Sequence, residues 1–137
     1  MLNIKSFITV LKSPTIYQFA IVGAIGSLTT LAVTATLTSI LGIFYAVSAL
    51  IGLESSTPIV FFLNDRWTFS NVSKKTKAMQ RFLKNNLVGL IGFGINETIL
   101  ISLTSVLGIH YLLSEGIAII ITFVFTFMAS KKITWKN

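Results

Sequence analysis

The sequence predicts an all-α integral membrane protein with four transmembrane helices, arranged as two parallel-oriented helical-hairpin repeats. Three observations carry this prediction. No charged residue lies between Ser13 and Leu53, and the eleven lysines and arginines fall into three blocks separated by apolar runs. The nine residues LTSILGIFY at 37–45 also return as LTSVLGIHY at 103–111, with seven identities.

Composition narrows the class further. At 53% hydrophobic, 11% charged and mean hydropathy +0.84 the chain is too apolar for a soluble domain, in which about 25% of residues are charged. There is no cysteine and one histidine, His110, so a single chain can form neither a disulfide, a thiolate metal centre nor a histidine-rich one. No nucleotide-binding loop, metal cluster or hydrolytic triad is legible, so neither an enzyme nor a cofactor is expected. The net charge of +7 would suit nucleic acid or anionic lipid, and the position of the charges decides between them. Every cationic block borders an apolar run, which selects anionic membrane lipids and excludes nucleic acid.

The elements follow in order. Residues 1–13 alternate Leu2, Ile4, Phe7, Ile8 and Leu11 with Lys5 and Lys12 before Pro14, the pattern of a short interfacial helix. No small-x-small cleavage site follows, and the next apolar run is too long for a signal peptide. That run exceeds the roughly 20 residues needed to cross the hydrocarbon. Gly42 divides it into spans at about 17–41 and 45–63, joined by a tight turn at Gly42-Ile43-Phe44. Residues 64–85 hold Arg66, Lys74, Lys75, Lys77, Arg81 and Lys84, and Ala78, Met79, Phe82 and Leu83 recur opposite the basic side chains. This reads either as an amphipathic helix on an anionic leaflet or as a solvated loop that fixes topology. A third span at 86–107, a second turn at Gly108-Ile109-His110 and a fourth span at 111–129 complete one membrane domain over 1–137. Lys131, Lys132 and Lys136 make the tail basic. Both short turns lack cations, so the positive-inside rule puts both termini and the middle loop in the cytoplasm.

The repeat, about 14–69 and about 80–135, is wider than its best-matched segment. At the same offset Gly23 meets Gly89, Gly26 meets Gly92, Thr30 meets Asn96, Ser48 meets Ser114, Phe61 meets Phe127 and Thr68 meets Thr134. Each copy crosses twice, so the copies share an orientation and a pseudo-twofold axis along the membrane normal is expected. Gly23, Ser27, Thr30, Thr34 and Thr38 in the first span, with Asn85, Gly89, Gly92 and Asn96 in the third, are spaced for close helix packing. The same hydroxyls could also line a substrate path.

Polar residues within the spans mark candidate sites. Glu54 and Glu97 lie near the centres of their spans, where an ionised carboxylate costs roughly 2.5–3.5 kcal/mol. Such an acid must be protonated or face a polar cavity or partner. Ser55, Ser56 and Thr57 add hydroxyls beside Glu54, and Pro58 has no amide to offer its carbonyl, so a polar pocket at mid-depth is expected. Asn96 stands next to Glu97. Glu115, one turn into the fourth span, reads as a rim or helix-start residue. The two repeats end in FFLNDRWTF and FMASKKITW, where Asn64, Arg66, Lys131 and Lys132 suit either a lipid phosphate or ordinary positive-inside anchoring.

With Phe19-Ala20-Ile21-Val22-Gly23 early in the chain and Phe62-Leu63-Asn64-Asp65-Arg66-Trp67-Thr68-Phe69 closing the second span, the whole chain resembles the GtrA-like family of small four-helix membrane proteins. The resemblance implies a role in synthesis and glycosylation of cell-surface polysaccharide, including O-antigen and wall teichoic acid, in a bacterial cytoplasmic membrane. It implies flipping of a polyprenyl-phosphate-linked monosaccharide from the cytoplasmic to the outer leaflet. In the second copy Ser130-Lys131-Lys132 replaces the Asn-x-Arg of the first. Combined with the residues above, the resemblance makes Arg66, with Lys131 or Lys132, the holder of the phosphate, and Glu54, Ser55, Ser56, Asn96 and Glu97 the binders of sugar hydroxyls. Four short helices can hardly enclose such a path, so a parallel homo-oligomer is expected. Two other readings stand beside this one: a membrane anchor that recruits a glycosyltransferase through the basic loop, and a small multidrug-type proton-coupled transporter. Against the latter, the first span carries no acid.

Overall fold

The computed structural model describes residues 4–72 and 74–135. The Leu2 end of the expected first helix and the third tail lysine, Lys136, lie outside the described residues, as does the side chain of Phe7. Among the described residues every regular element is helical: α1 (Ile4–Leu11), α2 (Pro14–Ser39), α3 (Tyr45–Leu63), α4 (Ala78–Ile101) and α5 (Tyr111–Ala129). Five-residue π-helical turns extend three of them, Asn64–Thr68 after α3, Ser102–Val106 after α4 and Ser130–Thr134 after α5. With these extensions, four helices of 24 to 29 residues are long and apolar enough to cross a membrane. The chain divides into two compact units, Met1–Asn71 and Val72–Asn137, each holding one hairpin.

Helix ends follow local chemistry. Pro14 opens α2, where its missing amide costs nothing and its fixed φ is already helical. At the other end the Ile43 amide reaches back 3.0 Å to the Leu37 carbonyl across Gly42, whose φ is +67°. This six-residue return around a left-handed glycine is a Schellman cap. The second hairpin repeats it: Ile109 N–H donates to the Leu103 carbonyl at 3.0 Å, and Gly108 has φ +67°. The next helix in each unit starts alike too. Ser48 Oγ donates to the carbonyls of Ile43 and Phe44 at 3.3 Å, and Ser114 Oγ to those of Ile109 and His110 at 3.4 and 3.2 Å.

The third span differs from its expected start at residue 86. No Gly or Pro interrupts residues 78–86, and Leu83, Lys84 and Asn85 are compatible with a helix. The amphipathic segment and the span therefore form one helix from Ala78, with Arg81 buried and its guanidinium donating to the Thr76 carbonyl.

Within each unit small residues let the two long helices touch. A methyl group at Gly26 would stand 2.5 Å from Val60 Cγ2, and one at Gly92 would stand 2.5 Å from Thr126 Cγ2. Gly52 is tighter still: its methyl would meet Thr34 Oγ1 at 2.6 Å and the Thr30 carbonyl oxygen at 2.7 Å. Lipid tails are as apolar as leucine, so such van der Waals fit, with hydrogen bonds across it, drives association. Thr30 Oγ1 donates to Ser56 Oγ at 3.1 Å, and Thr34 Oγ1 to the Ser48 carbonyl at 3.4 Å.

Substitutions at these glycines have distinct expected outcomes. Gly52→Ala should destabilise the protein by about 1–3 kcal/mol in denaturant titration of the micellar protein, because a backbone carbonyl cannot step aside. Gly26→Ala should cost less and be relieved by Val60→Ala, while Gly23→Ala, which meets nothing within 4 Å, should be neutral. Replacing Gly108 by Ala should cost about 1–2 kcal/mol, since its left-handed φ crowds any Cβ, and Gly42→Ala should match it.

Candidate functional site

The unit ends carry the cations. After α3 the chain turns through Asn64–Thr68, with Phe69 N–H bonded to the Asn64 carbonyl at 2.8 Å; after α5 it turns through Ser130–Thr134, with Trp135 N–H bonded to the Ser130 carbonyl at 3.0 Å. An i→i+5 bond widens the turn by one residue, and such turns are frequent at functional sites. In both copies the first and last residues face inward, as does Asp65 in the first, and the remaining residues between them supply the exposed side chains. Asn64 and Thr68 are buried in one, Ser130 and Thr134 in the other, while Arg66, Lys131 and Lys132 are exposed. The Arg66 guanidinium lies 5.5 Å from the Phe62 ring centroid, within cation–π range. Phe69 is packed edge-on against Phe19.

Buried polar atoms beside these cations are unmatched. Asn64, only 1% exposed, has no partner for Oδ1, and the hydroxyls of Thr68 and Thr134 also lack partners. An unpaired buried polar group costs about 1–3 kcal/mol. A fold carries such a cost more readily at a place that meets a ligand or water than inside a packed interface.

The mid-span residues separate into two groups. Ser55 Oγ donates 2.7 Å to the Ile51 carbonyl, Ser56 Oγ donates 2.8 Å to that of Leu53, and Thr57 Oγ1 donates 3.1 Å to the same oxygen. These hydroxyls serve their own helix, and Ser56 also accepts from Thr30. The polar pocket expected around Glu54 does not form from them, and the Glu54 side chain is exposed. A hydroxyl four residues beyond a carbonyl finds it without help, a local competitor that residue type alone does not exclude. In the second unit Asn96 and Glu97 are half-buried, and Asn96 Nδ2 donates a long bond, 3.5 Å, to Glu115 Oε1. Glu115 Oε2 is buried with no partner. Reading Glu115 as a rim residue missed this. The signal was available in the repeat, because the position matching Glu115 in the first copy is Ala49.

These arrangements provide exposed cations at the π-helical ends and a hydrogen-bonding acid–amide pair in the second unit. Among the described residues no group of three or more His, Cys, Asp or Glu could hold a metal ion.

Residues 18–135 match the family described as the GtrA/DPMS transmembrane domain. Over 95 residues the chain is 30% identical to a dolichol-phosphate mannosyltransferase of Pyrococcus furiosus, an alignment covering 69% of this chain and 26% of that protein. The chain thus spans about a quarter of the length of that curated relative. The protein is a multi-pass membrane protein, and it belongs to the GtrA/DPMS transmembrane-domain family.

Proposed function

We propose that the protein moves a polyprenyl-phosphate-linked monosaccharide from the cytoplasmic to the outer leaflet, for glycosylation of a cell-surface polymer, and that it does so without catalysing a covalent step. The observation that carries this reading is the matched end of the two hairpins. Each carries an exposed cation, Arg66 or Lys132, two residues before a buried hydroxyl without a partner, Thr68 or Thr134, at the end of its last helix. That combination suits a phosphate monoester or diester: the guanidinium or ammonium supplies charge-assisted donors, and a hydroxyl supplies a further one. Arg66 in the first unit, and Lys131 and Lys132 in the second, are the cations available for it. Family membership, and a relative whose name specifies a dolichol-phosphate sugar, support a lipid-linked sugar as the substrate.

Charge also supports the direction. The π-helical ends and the segment holding Lys74, Lys75 and Lys77 are cationic, whereas the turns at Gly42 and Gly108 bear no cation, which by the positive-inside rule makes the cationic ends cytoplasmic. A phosphate captured there belongs to the donor leaflet.

A second reading has its own support. The chain matches only 26% of a mannosyltransferase polypeptide, so a segment like this one occurs joined to a much longer remainder. A segment of this kind would serve a glycosyltransferase as its membrane part, engaged through the basic segment.

Reconstitution separates the two. In liposomes loaded with a fluorescent polyprenyl-phosphate sugar, the protein alone should carry the probe to the opposite leaflet, and Arg66→Ala should slow transfer by about tenfold or more, one charge-assisted contact being worth that much. Retained transfer in Arg66→Ala removes that residue from the site. Absence of transfer by folded protein favours the recruiting partner, for which reversing Lys74, Lys75 and Lys77 to Glu should abolish co-purification with the glycosyltransferase.

A further inference from the structure

We propose that the turn end of the second hairpin holds a binding site for the sugar ring of the lipid-linked substrate, with Glu115 as its principal hydrogen-bond acceptor. The inference rests on the lipid-linked-sugar reading above and adds where the sugar is bound. A cavity of about 430 Å³ opens there between α4, its π-helical extension and α5, a size within the range of small-molecule sites. Leu100, Ile101 and Leu112 make most of its wall apolar, Thr104 and Glu115 contribute polar groups, and Tyr111 supplies an aromatic face. Two of its polar atoms are buried and unpartnered, Glu115 Oε2 and Thr104 Oγ1. Glu115 Oε1 accepts a long bond, 3.5 Å, from Asn96, and Oε2 is the buried oxygen left without a partner.

The chemistry of the wall selects the occupant. A lipid chain would cover the apolar residues but leave a buried carboxylate oxygen unmatched. A metal ion would need more ligands than one carboxylate and a hydroxyl. A monosaccharide supplies hydroxyl donors for Oε2, an acceptor for the Thr104 proton, and an apolar C–H face for the Tyr111 ring and the leucines.

Comparison of the copies shows what the second one adds. Thr38, the counterpart of Thr104, is also buried without a partner, so the hydroxyl is common to both. The carboxylate is not, since Ala49 takes its place. The π-helical turn Ser102–Val106 is also particular to the second copy: Leu107 N–H reaches the Ser102 carbonyl at 3.2 Å, whereas α2 ends in an ordinary i→i+4 bond from Ile40 to Thr36 at 3.0 Å. An acid, a widened turn and a cavity therefore coincide in one hairpin. Glu115 lies 16 residues from Lys131 along α5 and its extension, about 24 Å of helix. Phosphate capture at the cationic end and sugar binding at the turn end are consequently different stages, and the Glu115 site serves the sugar after it has crossed.

The test uses the full-length protein in nanodiscs, titrated with polyprenyl-phosphate glucose, polyprenyl-phosphate mannose and sugar-free polyprenyl phosphate and followed by native mass spectrometry. Wild type should bind at least one sugar lipid more tightly than the sugar-free lipid. Glu115→Gln should weaken that sugar lipid about tenfold, the size of a lost charge-assisted bond, and leave the sugar-free lipid unchanged. Thr104→Val, which keeps the shape of the site, should act in the same direction with a smaller loss. Equal binding of sugar-bearing and sugar-free lipids by wild type, or unaltered sugar-lipid binding in both variants, overturns the Glu115 site while the transport reading stands. Failure of wild type to bind any of the three overturns both.

Discussion

Close approach of two helices at glycine is the constraint on which the rest of this structure depends. In lipid, two apolar helices gain little from hiding from solvent, so contact must come from fit and from hydrogen bonds across the seam. Gly26 against Val60, Gly92 against Thr126, and Gly52 beneath Thr30 and Thr34 bring each pair of helices that near. The seam then consumes the polar groups that face it. Thr30 and Ser56 bond to each other, and Thr34 bonds to the Ser48 carbonyl. Hydroxyls spent in this way are poor candidates for a substrate path.

The ends of α3 and α5 have a common design. Continuing α3 and α5 as π-helical turns lets the chain bury Asn64 and Thr68, or Ser130 and Thr134, while the residues between them project cations outward. Beside these turns the Asn64 side-chain carbonyl oxygen and the Thr68 and Thr134 hydroxyls are buried and unmatched. At a bilayer surface the same features give charge, donors and aromatic anchoring at the depth of a phosphate.

Much of the architecture was legible in the sequence because membrane helices are constrained so simply. The charge-free run from Ser13 to Leu53 had to contain two crossings, and Gly42 and Gly108 marked the turns that the structure closes with left-handed caps. Interactions within a single helix were less legible. Ser55, Ser56 and Thr57 looked like the lining of a pocket, yet each donates to a carbonyl one turn back, a choice settled by local geometry and invisible in residue type. The π-helical turns were hidden for a related reason, since one shifted hydrogen bond leaves no hydrophobic signature. The Asn96–Glu115 bond was hidden because the nearness of Glu115 to the start of α5 suggested a surface position, whereas Asn96 reaches it only through the pairing of α4 with α5.

Duplication explains why the informative residues are those at which the copies disagree. Where they agree, at Gly26 and Gly92, Ser48 and Ser114, or Gly42 and Gly108, the shared residue solves a problem that every hairpin has: approach, helix start, turn. Where they differ, no such problem demands the change. Gly52 is needed because the Thr30 carbonyl leaves no room for a methyl, yet its counterpart is Ala118, fully buried, so the second seam is more open at that level. Asn96 replaces Thr30, Glu115 replaces Ala49, and α4 ends in a π-helical turn where α2 does not. Each change adds polarity or width to the second hairpin, and packing alone rewards none of them. The proposed sugar site accordingly falls in the hairpin whose seam is the more open at the level of Ala118.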